Sequence, residues 1–237
     1  MKRFNPRLLI PLFAALVLTG LAGGWLLFRR TLQTLPRSAK VSAWIRGDPA
    51  RTGWVLASGQ RCPGAPFQMP VEGFIGYLWD DSFQSLQRHT GLDIFGLHPP
   101  GEEPVFAAYD GYLTRLADWK SSLIVRIPAD PLQPQRQIWT YYTHMAGPQG
   151  DSFIDAAFPP GTSEVFVKAG TLLGRMGNFS GTPGAPVGVH LHFSVVKDDG
   201  RGKFLDERAI GNTLDPSPYF GMQLNANLNP PFPPVCP

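Results

Sequence analysis

The stretch VHLHFSVV at residues 189–196 is the part of this sequence that best indicates its fold. It alternates polar with apolar residues and is rich in β-branched and aromatic side chains, which predicts a β-strand. Side chains two positions apart in a strand point to the same face, so we expect His190 and His192 to lie side by side. Leu191 and Phe193 then face the other way. Two imidazoles this close on a rigid element suit a metal site or a proton-transfer site.

The rest of the folded part also indicates short strands joined by turns. The chain of 237 residues has 26 glycines and 25 prolines, too dispersed for a repeat and too frequent for a helical bundle. Strands in residues 105–109 and 112–116 flank Asp110-Gly111, which predicts a hairpin. Further strands are predicted at residues 122–127, 138–144, 164–167 and 171–174. We therefore predict an all-β fold of mostly antiparallel sheets, preceded by one N-terminal transmembrane helix.

Charge is distributed unevenly along the chain. Residues 1–60 carry nine Lys and Arg against one acidic residue, whereas residues 61–237 carry twelve against seventeen. The basic character of the chain therefore belongs to its N-terminal segment. A nucleic-acid partner for the folded part is not indicated.

An uncharged run from Leu8 to Phe28 predicts the transmembrane helix. As a helix this run would be roughly 30 Å long, about the thickness of the hydrocarbon core of a bilayer. A cleaved signal peptide is the alternative, since Ala22-Gly23-Gly24 offers small residues for cleavage. Basic residues flank both ends, so the positive-inside rule does not fix the orientation.

These patterns divide the chain into five segments. They are a short basic N-terminus (1–7), a transmembrane signal anchor (8–28), a membrane-proximal linker (29–60), a folded domain (61–220) and a Pro-rich tail (221–237). Cys62 and Cys236 lie near the two ends of the folded part. In an oxidising compartment they could form a disulfide, and two unpaired thiols are the alternative.

Four of the five histidines occur in three suggestive settings. His89 precedes Asp93 by four residues, His144 ends a predicted strand, and the third setting is the pair His190 and His192. The fifth histidine, His98, lies in a Pro- and Gly-rich loop, where we expect a solvated side chain. Each setting is a weak signal by itself.

Together, in this order, the three settings resemble the lysostaphin-type, or LytM-like, zinc metalloendopeptidases, which act on bacterial peptidoglycan. The resemblance covers roughly residues 70–220. It extends to residues 104–111, to the glycine-bounded segment 167–177 and to the closing motif 215–219. The chain departs from the family pattern in its longer glycine-rich approach to the histidine pair, at residues 181–189. This departure leaves the shape of the substrate groove open.

The resemblance implies a role for each residue of the motif. His89, Asp93 and His192 match the zinc ligands, with one Zn2+ per catalytic domain. His144 and His190 match the two catalytic histidines that do not bind metal, and which of them is the general base stays open. Two imidazoles and one carboxylate leave a fourth position for water, which is typical of catalytic rather than structural zinc.

The implied function is hydrolysis of cross-links or stem peptides of peptidoglycan by a membrane-anchored enzyme whose catalytic domain lies outside the cytoplasm. One alternative is a non-catalytic wall-binding regulator that activates another hydrolase. A second is a metallopeptidase with a non-wall peptide substrate. The bond that is cut and the oligomeric state are not predicted.

Overall fold

The computed structural model describes residues 9–82 and 87–236, without the side chains of most residues before position 34. The chain is mostly antiparallel β-structure with few helices, in agreement with the predicted all-β class. The strands are β1 (Phe74–Tyr77), β2 (Leu92–Phe95), β3 (Pro104–Phe106), β4 (Gly111–Thr114), β5 (Leu123–Ile127), β6 (Ile138–Thr143), β7 (Val165–Val167), β8 (Leu172–Arg175), β9 (Leu191–Lys197) and β10 (Thr213–Leu214). The α-helices are α1 (Leu9–Ile45) and α2 (Ser217–Phe220), and short 3-10 helices lie at Pro49–Trp54, Ile210–Asn212 and Ala226–Leu228.

Eight of these strands form one large sheet. Its order is β1-β2-β9-β6-β5-β4-β7, with β10 also paired to β9, while β3 and β8 form a separate pair. The stretch that first indicated the fold becomes β9, in the middle of the large sheet between β2 and β6. The strand begins at Leu191, and His190 makes an isolated bridge to Gly177 just before it. Neighbours on both sides fix the position of β9.

Side chains of β9 alternate between the hydrophobic core and the face that carries the histidines, as predicted. Leu191 and Phe193 are fully buried in the main hydrophobic core, together with Val195. The ring of Phe193 meets that of Tyr142 from β6 edge to face, with 5.2 Å between centroids. Burying each large apolar side chain contributes about 1.5–3 kcal/mol to folding. The opposite face carries His192 and Ser194, with His190 just before the strand.

The predicted hairpin around Asp110-Gly111 is wrong. The strands before and after this turn lie in different sheets, since β3 pairs with β8 while β4 pairs with β5 and β7. The chain crosses between the sheets at residues 107–110 and again at residues 168–171. Hydrogen bonds from Ala107 N to Thr171 O (3.0 Å) and from Gly170 N to Ala107 O (2.9 Å) join the two crossings. The Asp-Gly signal is local, whereas the true pairing partners lie far along the chain.

The membrane span predicted at Leu8–Phe28 is not found. No helix in the described part of the chain combines the length and the apolar character needed to cross a bilayer. Leu8 itself and most side chains of that segment lie outside the described residues.

Helix α1 continues through residues 29–45, within the segment predicted as a linker, and its end packs on the sheet. Trp44 stacks on Phe74 of β1 with 5.3 Å between ring centroids. Its indole Nε1 donates a hydrogen bond to Gly96 O at 3.1 Å. The last turns of the helix are therefore held against the edge of the sheet that carries β1 and β2.

A buried ion pair fixes the same helix. The side chains of Arg37 and Asp81 are 4% and 0% exposed. The Nε and Nη2 atoms of Arg37 donate to the Asp81 carboxylate at distances of 2.6–3.0 Å. Thr34 Oγ1 and Leu78 N donate to the same carboxylate at 2.9 and 3.0 Å. Removal of one partner from such a pair leaves the other charge buried without compensation.

A disulfide joins Cys62 to Cys236 across 174 residues of sequence. Of the two alternatives for these cysteines, a disulfide or two unpaired thiols, the structure has the disulfide. The tail that carries Cys236 packs on the domain: Leu224 and Ala226 are buried, and Ala226 N donates to Trp79 O at 2.9 Å. A cross-link between the ends of a domain stabilises it chiefly by constraining the unfolded chain.

Arg37→Ala is expected to lower the free energy of unfolding by about 3–5 kcal/mol, because it leaves the Asp81 carboxylate buried without its cation. Urea denaturation of the metal-free protein measures the change. Arg208→Ala is the matched control, since Arg208 forms an ion pair with Asp206 while its side chain is 83% exposed, and little change is expected there. An unaltered urea midpoint for Arg37→Ala would show that the helix is not anchored through this pair.

Candidate active site

Three side chains from two distant parts of the sequence bring their donor atoms together. His89 Nε2 lies 3.0 Å from Asp93 Oδ1 and 3.1 Å from His192 Nδ1. His192 Nδ1 lies 2.9 Å from the same oxygen of Asp93. All three residues are buried, and they form a group that could hold a metal ion. They are the three residues predicted as metal ligands.

Strand pairing explains how two of them meet. β2 and β9 are antiparallel, and their register sets Asp93 directly opposite His192. Directly opposed residues in an antiparallel pair have side chains on the same face, close enough to touch. The third residue, His89, reaches the other two because residue 91 is a glycine. A Cβ atom at Gly91 would lie 2.2 Å from Phe193 O. A glycine there lets the segment that carries His89 approach β9.

The donor set fits zinc. Zinc in proteins is held at about 2.0–2.2 Å by histidine nitrogen and carboxylate oxygen in a tetrahedral arrangement. The edge of such a tetrahedron is about 3.3 Å, close to the 2.9–3.1 Å that separate the three donor atoms. Two imidazoles and one carboxylate also leave one position open.

Both histidines of this group are oriented through their second ring nitrogen. His89 Nδ1 lies 2.9 Å from Leu78 O, to which it donates. His192 Nε2 lies 2.9 Å from Ser194 Oγ and 3.6 Å from Glu207 Oε2. Outer hydrogen bonds of this kind fix the tautomer and ring orientation of metal-binding histidines.

The charges in the group are strongly coupled. Burial raises the pKa of the Asp93 carboxyl, but the neighbouring imidazoles outweigh burial and hold the pKa well below its ordinary value. Burial likewise lowers the pKa of His192, yet the carboxylates of Asp93 and Glu207 raise it to about 10. At neutral pH the metal-free chain therefore holds a proton on His192 beside an ionised Asp93.

His144 and His190 lie together beside this group. Their ring centroids are 4.4 Å apart, and His190 Nε2 is 3.6 Å from Asp93 Oδ1. His144 follows the last residue of β6 with a φ of 72°, a left-handed conformation that is uncommon outside glycine and frequent at functional sites. The structure thus brings together all five of the predicted site residues.

Backbone carbonyls orient both of these rings. His144 Nδ1 lies 2.7 Å from Phe179 O, and His190 Nδ1 lies 2.7 Å from Gly188 O. A carbonyl only accepts hydrogen bonds, so in each ring Nδ1 carries the proton and Nε2 is the acceptor.

Burial keeps the same two rings neutral. Burial, followed by the neighbouring His190 ring, lowers the pKa of His144 to about 3. Burial also lowers the pKa of His190, in spite of the nearby Asp93 carboxylate. Near pH 7 both rings are therefore neutral, and their Nε2 atoms carry no proton.

One open cavity of about 630 Å³ contains the five residues. Both apolar and polar side chains line this cavity, with Ile45, Val41 and Phe95 among the apolar ones and Thr90 and Glu207 among the polar ones. His98 takes no part: its side chain is 55% exposed, and its Nε2 lies 3.7 Å from Glu103 Oε2.

Several residues of the site were missed in the sequence. Ser194 follows His192 by two positions and therefore shares its face, a signal that strand alternation could have supplied. Glu207 lies in a loop and reaches the site through His192 and Thr90. Val41 and Ile45 belong to α1, and no local pattern places them near the histidines.

Three solved structures illustrate what the chain is similar to. A structure described as a glycyl-glycine endopeptidase LytM from Ruminococcus gnavus shares 26% identity over 55% of this chain and 45% of its own, with a TM-score of 0.36. Lysostaphin from Staphylococcus simulans shares 16% identity over 70% of this chain and 55% of its own, with a TM-score of 0.37. The catalytic domain of a mutant of the prophage-encoded protein EnpA from Enterococcus faecalis shares 22% identity over 65% of this chain and 98% of its own, with a TM-score of 0.36.

No protein-family model matches the chain, and no curated protein does. The chain spans about half the length of the first and second of the three structures.

Zinc binding by the metal-free chain is expected to release about one proton per ion at pH 7, because the proton on His192 must leave before Nδ1 can coordinate. The apparent affinity should rise about tenfold per pH unit on the way up to the pKa of about 10. Calorimetric titrations in two buffers of different ionisation enthalpy count the protons, and His98→Ala should behave like the wild type. Equal binding heats in the two buffers would contradict the protonated state of His192.

Proposed function

We propose that this chain is a zinc-dependent metalloendopeptidase that hydrolyses peptide cross-links or stem peptides of bacterial peptidoglycan. The observation that carries the proposal is one cavity in which a His-Asp-His donor triangle lies beside two neutral histidines. The choice of peptidoglycan rests on the resemblance of the motifs to lysostaphin-type enzymes.

The residues of the chain would divide the work as follows. His89, Asp93 and His192 would hold the metal, which when bound supplies a positive charge that acidifies water and polarises a carbonyl group. His144 and His190 present unprotonated Nε2 atoms, so either ring can accept the proton of the attacking water. The protonated ring can then donate a hydrogen bond to the oxyanion or a proton to the leaving amine.

We further propose that the domain acts outside the cytoplasm, where peptidoglycan lies. The disulfide between Cys62 and Cys236 supports this location, because structural disulfides persist mainly in oxidising compartments. The substrate partner would be the peptide portion of the cell wall.

Incubation of the zinc-loaded full chain with purified sacculi is expected to generate new amino termini, and a chelator should abolish their appearance. Amino-terminal labelling followed by mass spectrometry of the released fragments measures the reaction and identifies the bond. Wall binding without new termini, combined with faster release by a second hydrolase, would instead identify a regulator. Cleavage of soluble peptides alone would identify a peptidase with a non-wall substrate.

Two substitutions on the same strand face should have different effects. His192→Ala is expected to lose both zinc and activity, since it removes a ligand. His190→Ala should keep a full complement of zinc and lose about 10²–10⁴-fold in kcat, the usual contribution of a positioned acid–base group. Metal analysis and steady-state kinetics on one preparation separate the two results. Loss of zinc in His190→Ala would place that residue among the ligands.

A further inference from the structure

The end of helix α1 forms one wall of the catalytic cavity. Val41 and Ile45 both line this cavity, which also contains the metal group and His190. The Val41 side chain is buried, whereas Ile45 is 63% exposed. A Cβ atom at Gly188, the residue whose carbonyl orients His190, would lie 3.9 Å from Ile45 Cδ1. The helix thus ends within contact distance of the catalytic segment.

This helix wall is connected through Phe95 to the imidazole ring of His190. Val41 packs in a cluster with Phe95, the last residue of β2. The Phe95 ring in turn stacks on His190, with 5.2 Å between centroids and 28° between planes. Apolar surface therefore extends from His190 through Phe95 to the helix.

Close packing holds the wall in place. A Cβ atom at Gly76 of β1 would lie 2.6 Å from Val41 Cγ2, so only a glycine permits this approach of helix and strand. The Arg37–Asp81 pair and the Trp44 hydrogen bond fix the helix on either side of Val41. The wall is therefore a fixed surface of the domain.

The register of β2 and β9 places the apolar wall on one side of the metal group. Asp93 and His192 are opposed at its centre. Two residues away from this pair in one direction, Phe95 follows Asp93 and His190 precedes His192, and both lie next to the helix. Two positions along in the other direction lies Ser194, near Thr90 and Glu207. A peptide that crosses the metal group would therefore meet the apolar wall of Phe95, Val41 and Ile45 on the side of His190.

We propose that Ile45 is a specificity-determining residue that contacts an apolar side chain of the substrate next to the scissile bond. This inference rests on the proposed peptidase function. Ile45 is exposed at the cavity mouth, so its apolar surface is available to a substrate. A polar side chain at this end of the groove would lose water without gaining a hydrogen bond from the helix wall.

The test uses pairs of synthetic peptides that the wild-type full chain cleaves. The two peptides of a pair differ at a single position beside the scissile bond, which holds valine in one and the isosteric threonine in the other. Wild type is expected to prefer valine on the side nearer the helix. In Ile45→Ser the valine-to-threonine ratio of kcat/KM should fall about tenfold, while Ile45→Val should retain most of the preference. Zinc content should be unchanged in both variants. Leu35→Ser is the matched control, because Leu35 lies on the same helix, is 55% exposed and does not line the cavity.

A valine-to-threonine ratio in Ile45→Ser equal to that of wild type would overturn the inference, as would an equal fall in Leu35→Ser. Neither result affects the proposed function, since the enzyme still cleaves peptides. A wild-type chain that carries zinc and cleaves neither peptides nor sacculi would overturn the proposed function itself, and the inference with it.

Discussion

The antiparallel pairing of β2 with β9 is the constraint on which the site depends. Its register sets Asp93 opposite His192 and leaves Leu191 and Phe193 in the core on the other face. A slip by one residue would turn every side chain of β9 over, so that the histidines would enter the core. The hydrophobic contacts that stabilise the sheet are thus the same contacts that hold the metal donors at 2.9–3.1 Å from one another.

Burial and two carboxylates, Asp93 and Glu207, differentiate the imidazoles of the site. His192 contacts Asp93 at 2.9 Å and has a pKa raised to about 10, although burial alone would lower it. His190, at 3.6 Å from the same oxygen, has a lowered pKa, and burial dominates for His144. Similar rings in one cavity therefore divide into His192, whose proton a metal ion could replace, and the neutral pair His144 and His190.

Local patterns in the sequence predicted the elements that carry the chemistry. The alternation of β9 and the spacing of His89 and Asp93 are short-range signals, and the structure brings all five proposed site residues together. The failed hairpin at Asp110-Gly111, the packing of α1 beside the site and the approach of Glu207 have another origin. Each depends on contacts between segments far apart in sequence, which neither periodicity nor turn chemistry encodes.

His89, Asp93 and His192 alone among the side chains are proposed to hold a zinc ion. X-ray absorption at the zinc edge of the loaded full chain tests this proposal most directly, because scattering from imidazole rings counts the histidine ligands. Two imidazoles with the remaining ligands oxygen, and no sulfur, is the predicted result. Three or more imidazoles would make His144 or His190 a ligand and would contradict the division of roles between the two pairs of histidines.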